Sequence, residues 1–187
     1  MKEQIVSMEN VSIHFGSTKA LKDVSVQIYK GEIFGFLGPS GAGKTTTIKL
    51  LTKQLKQDQG SIRIFGKEIT DLGDALYDHI GVLSDNSGMY EKMSVYDNLK
   101  IFADLKKIPH EQIENILKKT RLWDDRRKKA RDLSRGMKQR LLFSRTILHK
   151  PDILFLDEPT SALDPATSEA VYDIITELKK DGTTIFL

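Results

Sequence analysis

The chain has 187 residues, 39% hydrophobic and 29% charged, with 13 Gly and 5 Pro, proportions of an ordinary globular protein and not of a collagenous, disordered or coiled-coil chain. It contains no cysteine, which excludes a disulfide framework and a thiolate metal site and suits a reducing compartment. Lys+Arg 29 against Asp+Glu 26 leaves a formal charge of +3, too small an excess to argue for nucleic acid, and no such partner is expected.

Met1 to Met8 mixes Lys2, Glu3 and Gln4 with only Ile5 and Val6, so it lacks the apolar stretch of a signal peptide and is expected to open the mature chain. The next strands show alternation: Val11 and Ile13 with polar neighbours, Val24, Val26 and Ile28 separated by Ser25 and Gln27, and Ser61 to Phe65 after a Gln59-Gly60 turn. This pattern predicts an antiparallel β region. Embedded in it, Glu32 to Leu37 holds a continuous apolar run, then a glycine loop, then a helix with Ile48, Leu51 and Leu55 on one face. The order predicts buried strand, loop, helix.

About 88–150 is expected to form an inserted helical lobe. Ser94 with Asp97 makes a capping box, and Ile113, Ile116 and Leu117 repeat at helical spacing after the Pro109 break. A helix from Ser134 to His149, a buried strand from Ile153 to Leu156, a helix carrying Val171, Ile174, Ile175 and Leu178, and a strand from Thr183 to Leu187 follow. Such alternation predicts an α/β fold whose parallel sheet carries helices on both faces. The longest apolar stretches, Ile33 to Leu37 and Ile153 to Leu156, fall far short of the ~20 residues that cross a bilayer.

Gly38-Pro39-Ser40-Gly41-Ala42-Gly43-Lys44-Thr45 fits G-x-x-x-x-G-K-S/T between a strand and a helix, where a phosphate loop belongs. Glycines let the backbone curl so that N–H groups point at phosphate oxygens, and the helix N-terminus adds its positive dipole end. Lys44 reaches the β/γ-phosphates and the Thr45 hydroxyl suits Mg²⁺; Thr46, next in the helix, is counted in the nucleotide-binding set. Downstream, Asp157 and Glu158 stand at the C-terminal edge of the Ile153 to Leu156 strand, the edge where open α/β sheets assemble ligand sites. Asp157 suits Mg²⁺, and Glu158 can orient or deprotonate a water attacking the γ-phosphate. The blander reading is a solvated strand end.

Between these motifs lies Leu133-Ser134-Arg135-Gly136-Met137-Lys138-Gln139-Arg140, and after them Ser161-Ala162-Leu163-Asp164. With these, nearly the whole chain resembles an ABC-type ATPase. The resemblance implies a P-loop NTPase core and a head-to-tail dimer, homo- or heteromeric, in which each ATP lies between one subunit's phosphate loop and the other's signature. It implies that Ser134 and Gly136 contact the γ-phosphate across the dimer and that Asp164 couples the two sites. Arg135 and Met137 depart from the usual Leu-Ser-Gly-Gly-Gln and resemble variants in bacterial exporter ATPases. By position Phe15 would stack on adenine, although a Phe ending a strand is more often core. Asp85 stands where the family places a metal-contacting Gln.

The resemblance further implies a cytoplasmic ATP hydrolase, peripheral on the inner membrane face, powering export through a separate membrane subunit with ATP and Mg²⁺. The alternative is a soluble ATPase acting as a nucleotide-gated clamp on ribosome or DNA. Arg126 to Arg131 forms a basic run, read as a solvated face in preference to a contact with lipid headgroups or an acidic partner. Asp181 to Leu187 reads as a helix end, a turn and a core strand, while the family's following His loop has no counterpart among these residues. The expectation is a truncated form of an ABC-type domain spanning 1–187, able to bind MgATP but slow in hydrolysis.

Overall fold

The computed structural model describes residues 2–39, 41–84, 88–161 and 163–187. Among them, strand β1 (Gln4–Phe15) pairs antiparallel with β2 (Thr18–Tyr29) on one side and β4 (Gln59–Ile64) on the other, and β5 (Lys67–Glu68) extends β4. The second sheet is parallel. Its strands β3 (Ile33–Phe34), β6 (Ile80–Leu83), β7 (Ile153–Leu156) and β8 (Thr184–Phe186) lie in the order β3-β8-β7-β6. Parallel neighbours need crossovers, which are supplied by α1 (Lys44–Leu51), α2 (Leu76–His79), α3 (Val95–Lys106), α4 (Glu111–Lys119), α5 (Arg135–Ile147) and α6 (Pro165–Lys180).

The parallel strands divide the interior in two. Along β7, Leu154 and Leu156 pack with α3, α4, α5 and α6, whereas Ile153 and Phe155 pack with α1 and the antiparallel sheet. That alternation is the strand's two-residue period used on two faces. The helices between β6 and β7 therefore share a core with one face of the sheet and do not enclose one of their own.

Local sequence explains several helix ends. The Ser94 hydroxyl accepts the Asp97 amide at 3.0 Å and donates to the Asp97 carboxylate at 2.6 Å, so Ser94 caps α3 with Asp97 holding its hydroxyl. Asp164 caps α6, with Pro165 in its first turn. The basic run is pinned to the start of α3: the Val95 amide donates to the Lys128 carbonyl at 2.9 Å and Tyr96 to Arg126 at 3.0 Å. Arg126 lies 4.3 Å over the Trp123 ring, while Arg127, Lys128 and Lys129 remain exposed.

Three expectations need correction. Leu55 does not share a helical face with Ile48 and Leu51, because α1 ends at Leu51 and Leu55 follows its C-cap Thr52. Gln59 and Gly60 lie inside β4 and form no turn before it. Gly60 has φ 88°, and a Cβ there would stand 2.4 Å from the Glu9 carbonyl oxygen, beside the register shift between Glu9 and Ser12. A close-packed bulge, not a turn, requires this glycine. The run from Ile33 to Leu37 is also not a buried strand. Only Ile33 and Phe34 are strand, and Ile33 is 40% and Leu37 92% exposed, because β3 borders β8 alone among the described strands.

Candidate functional site

The carboxyl end of β7 meets the start of α1. Asp157 follows the last residue of β7, is 8% exposed, and accepts the Thr45 hydroxyl at 2.8 Å. Its amide donates to the Leu83 carbonyl at 2.9 Å, which continues the pairing of β7 with β6 one residue past the strand. A hydroxyl and a carboxylate 112 residues apart in sequence are thus side by side. Both are hard oxygen donors, the chemistry Mg²⁺ takes, and Mg²⁺ characteristically keeps only one or two protein ligands beside phosphate and water. Among the described residues no group of three His, Cys, Asp or Glu could hold a metal.

The loop before α1 is shaped by its glycines. Gly43 has φ 88°, and a Cβ there would lie 2.4 Å from Leu21 Cδ2 and 3.0 Å from the Ala20 carbonyl oxygen, so left-handed backbone and close packing both require it. Gly43 also offers no side-chain cap to α1, and the first amides of a helix have no acceptor within it. The Lys44 ammonium donates to the carbonyls of Gly38 at 2.8 Å and Pro39 at 3.2 Å and lies 3.9 Å from Glu158 Oε1. A cavity of about 310 Å³ joins Gly38, Lys44, Asp157 and Glu158. A larger cavity of about 590 Å³, lined by Lys30, Lys119 and Lys150, contains none of these groups; the chemistry, not the volume, marks the site.

Phe15 ends β1 and is 48% exposed, so it is not core. Thr46 lies in the first turn of α1. Ser40 and Asp85 lie outside the described residues.

The signature residues sit elsewhere. Ser134 caps α5, its hydroxyl accepting the Met137 amide at 3.3 Å. Asp164 accepts the Thr167 amide at 3.0 Å and the Thr167 hydroxyl at 2.6 Å, and the hydroxyl and then the amide of Thr167 hold its carboxyl below the usual carboxylate range. Gly136 joins the two helices, since a Cβ there would stand 2.6 Å from Thr167 Cγ2 and 2.8 Å from its Oγ1. Ser134, Gly136 and Asp164 do not line the cavity at Lys44.

Sequence reasoning missed Tyr172, which lines that cavity and shares a 3.3 Å hydrogen bond with Thr160. It also missed Gln139, whose side-chain amide donates to the Pro159 carbonyl at 2.9 Å. Neither carries a local signal, because one lies in an amphipathic helix and the other in a charged one.

A fluoroquinolones export ATP-binding protein of Mycobacterium tuberculosis is 41% identical over 168 residues, covering 90% of this chain and 56% of that protein. The bacitracin transport ATP-binding protein of Enterococcus faecalis is 34% identical over 187 residues, covering 99% of this chain and 61% of that one. This chain thus spans little more than half the length of those relatives. Among solved structures, cbiO1 from Clostridium perfringens, part of the ABC transporter complex cbiONQ, has a TM-score of 0.88 at 29% identity, covering 99% of this chain and 78% of that chain. The protein-family model described as ABC transporter matches residues 21–161, from the strand that packs on Gly43 to the turn beyond Glu158. The chain belongs to the ABC transporter family.

Proposed function

We propose that this chain binds MgATP at the cavity between the phosphate loop and the end of β7, and that the protein hydrolyses it to power transport. The observation that carries this reading is the Thr45–Asp157 hydrogen bond beside Lys44 and Glu158. Lys44 and the loop amides would stabilise charge on the transferring phosphoryl group. Thr45 and Asp157 would hold Mg²⁺, with Asp85 as a further ligand; the cation would neutralise charge on the β- and γ-oxygens. Glu158 would orient the attacking water, and Phe15 would stack on adenine. Ser134, Gly136 and Asp164 would serve a second ATPase domain across a head-to-tail dimer, with 88–150 as the helical lobe facing a membrane subunit.

No helix among the described residues is long and apolar enough to cross a membrane. The likeness to ATP-binding proteins of export and transport systems supports a separate membrane subunit that would provide the path, with this chain cytoplasmic beneath it. The names of the Mycobacterium and Enterococcus relatives support transport over a clamp on ribosome or DNA, and the first of them supports export. The test pairs Glu158→Gln with the unaltered protein. MgATP binding should persist while turnover falls about 10²–10⁴-fold. A Glu158→Gln protein with normal turnover sinks the assignment, and ATP-driven uptake instead of efflux in membranes carrying the subunits reverses the direction.

A further inference from the structure

Glu158 is one of eight non-glycine residues among those described that have a positive φ. Its φ is 47°, in the left-handed region that residues bearing a Cβ rarely adopt and that persists where surroundings enforce it. The following Pro159 fixes its own φ and biases its predecessor toward extended backbone, so the proline does not explain the value. Two hydrogen bonds bracket the turn. The Ser161 amide donates to the Glu158 carbonyl at 3.0 Å, and from α5 the Gln139 side-chain amide donates to the Pro159 carbonyl at 2.9 Å. A carbonyl oxygen accepts only from the NH₂ end of the amide, so the chemistry fixes which end of Gln139 faces it.

Gln139 lies on the helix that Ser134 caps, and Gly136 seats the first turn of that helix against Thr167. The signature helix is therefore attached both to α6 and to the peptide next to Glu158. The carboxylate of that residue stands 3.9 Å from Lys44 Nζ, so a change in the turn changes what it can reach.

We propose that Gln139 is a positioning residue for Glu158: by holding the Pro159 carbonyl it keeps the turn closed, and it ties the carboxylate to the signature helix of the same subunit. The catalytic half of this proposal rests on the reading that Glu158 handles water; the structural half does not.

Gln139→Glu preserves size but replaces both N–H donors with a carboxylate facing a carbonyl, whereas Gln139→Lys restores a donor of similar reach. Hydrogen exchange of the Ser161 amide, followed by NMR without nucleotide, should quicken about tenfold in Gln139→Glu and stay within about threefold of the parent in Gln139→Lys. With ATP, kcat should fall about 10–100-fold in Gln139→Glu while KM moves less than about twofold, as expected for a misplaced group that does not bind substrate. In the Glu158→Gln background, Gln139→Glu should cost nothing further, since residues acting as a unit are non-additive. If Gln139→Glu fails to fold by circular dichroism, Gln139→Ala takes its place in the same measurements. Unchanged Ser161 exchange, Gln139→Lys behaving like Gln139→Glu, or an equal loss of turnover without Glu158 overturns the proposal. A parent protein without turnover overturns the functional reading, and Ser161 exchange then decides whether Gln139 holds the turn.

Discussion

The cavity at Lys44 and the junction of α5 with α6 are built in opposite ways. At the site, Asp157, one residue past β7, meets Thr45 in the first turn of α1, 112 residues away in sequence. At the junction, the bonds are local: Ser134 with Met137 and Asp164 with Thr167, each three residues apart. The two caps are brought together at one glycine, Gly136, against Thr167. A methyl added at Gly136 would therefore act through packing. Gln139 connects the two regions.

Ser134→Arg gives the largest expected effect. It should abolish ATP-induced dimerisation in gel filtration and leave MgATP affinity of the monomer nearly intact, because in the proposed arrangement Ser134 serves the nucleotide of the other subunit. Mixed with a Lys44→Ala protein it gives one composite site with both lesions and one with neither, so partial turnover should return. Failure of every mixture, with both proteins folded, breaks the head-to-tail arrangement.

Next comes Lys44→Ala alone. Removing a charged hydrogen-bond donor from a phosphate should weaken nucleotide binding about 10–100-fold, read by equilibrium titration with a fluorescent ATP analogue. The thermal midpoint should stay close to that of the parent. An equally large drop in the midpoint would mean that the loop is structural.

Gly136→Ala should destabilise the fold by about 1–3 kcal/mol through overpacking, or roughly 2–4 °C in Tm for each kcal/mol at this chain length. Thr167 cannot move aside cheaply, being β-branched in a helix with its hydroxyl bound to Asp164. Thr167→Ala removes both atoms nearest the added methyl and should restore much of the loss. A double variant no more stable than Gly136→Ala would show that the glycine is required for another reason.

The smallest effect concerns pH. Hydrogen bonds from Thr167 lower the Asp164 carboxyl below its ordinary value of 3.8 in the folded state. Its contribution is therefore complete above the unfolded value and lost as pH falls through the folded one. Urea midpoints followed from about pH 5 to pH 3 should decline more steeply in the parent than in Asp164→Ala. Parallel declines would separate Asp164 from acid sensitivity.

Much of the fold was legible in the sequence. The strand from Ile153 to Leu156 appears at the expected residues, Ser94 and Ser134 cap the helices they were expected to start, and the phosphate loop lies between strand and helix. These features depend on local periodicity and capping, which a short window contains. The strand at Ile33 was misread because apolar content does not reveal how many neighbours a strand has. Gly60 was misread because a bulge and a turn place the same demand on backbone φ.

By itself the sequence determined most of the helices and strands and the places of the Gly38 to Thr45 loop and the Asp157–Glu158 pair in chain order, since each is encoded by side chains within a few residues of one another. Only the tertiary structure decided that the Thr45 hydroxyl meets the Asp157 carboxylate, that Gly136 is confined by Thr167, and that Gln139 reaches the Pro159 carbonyl. The physical reason is distance along the chain: packing brings these groups to hydrogen-bond and van der Waals range, and no local preference encodes which of many possible partners they meet.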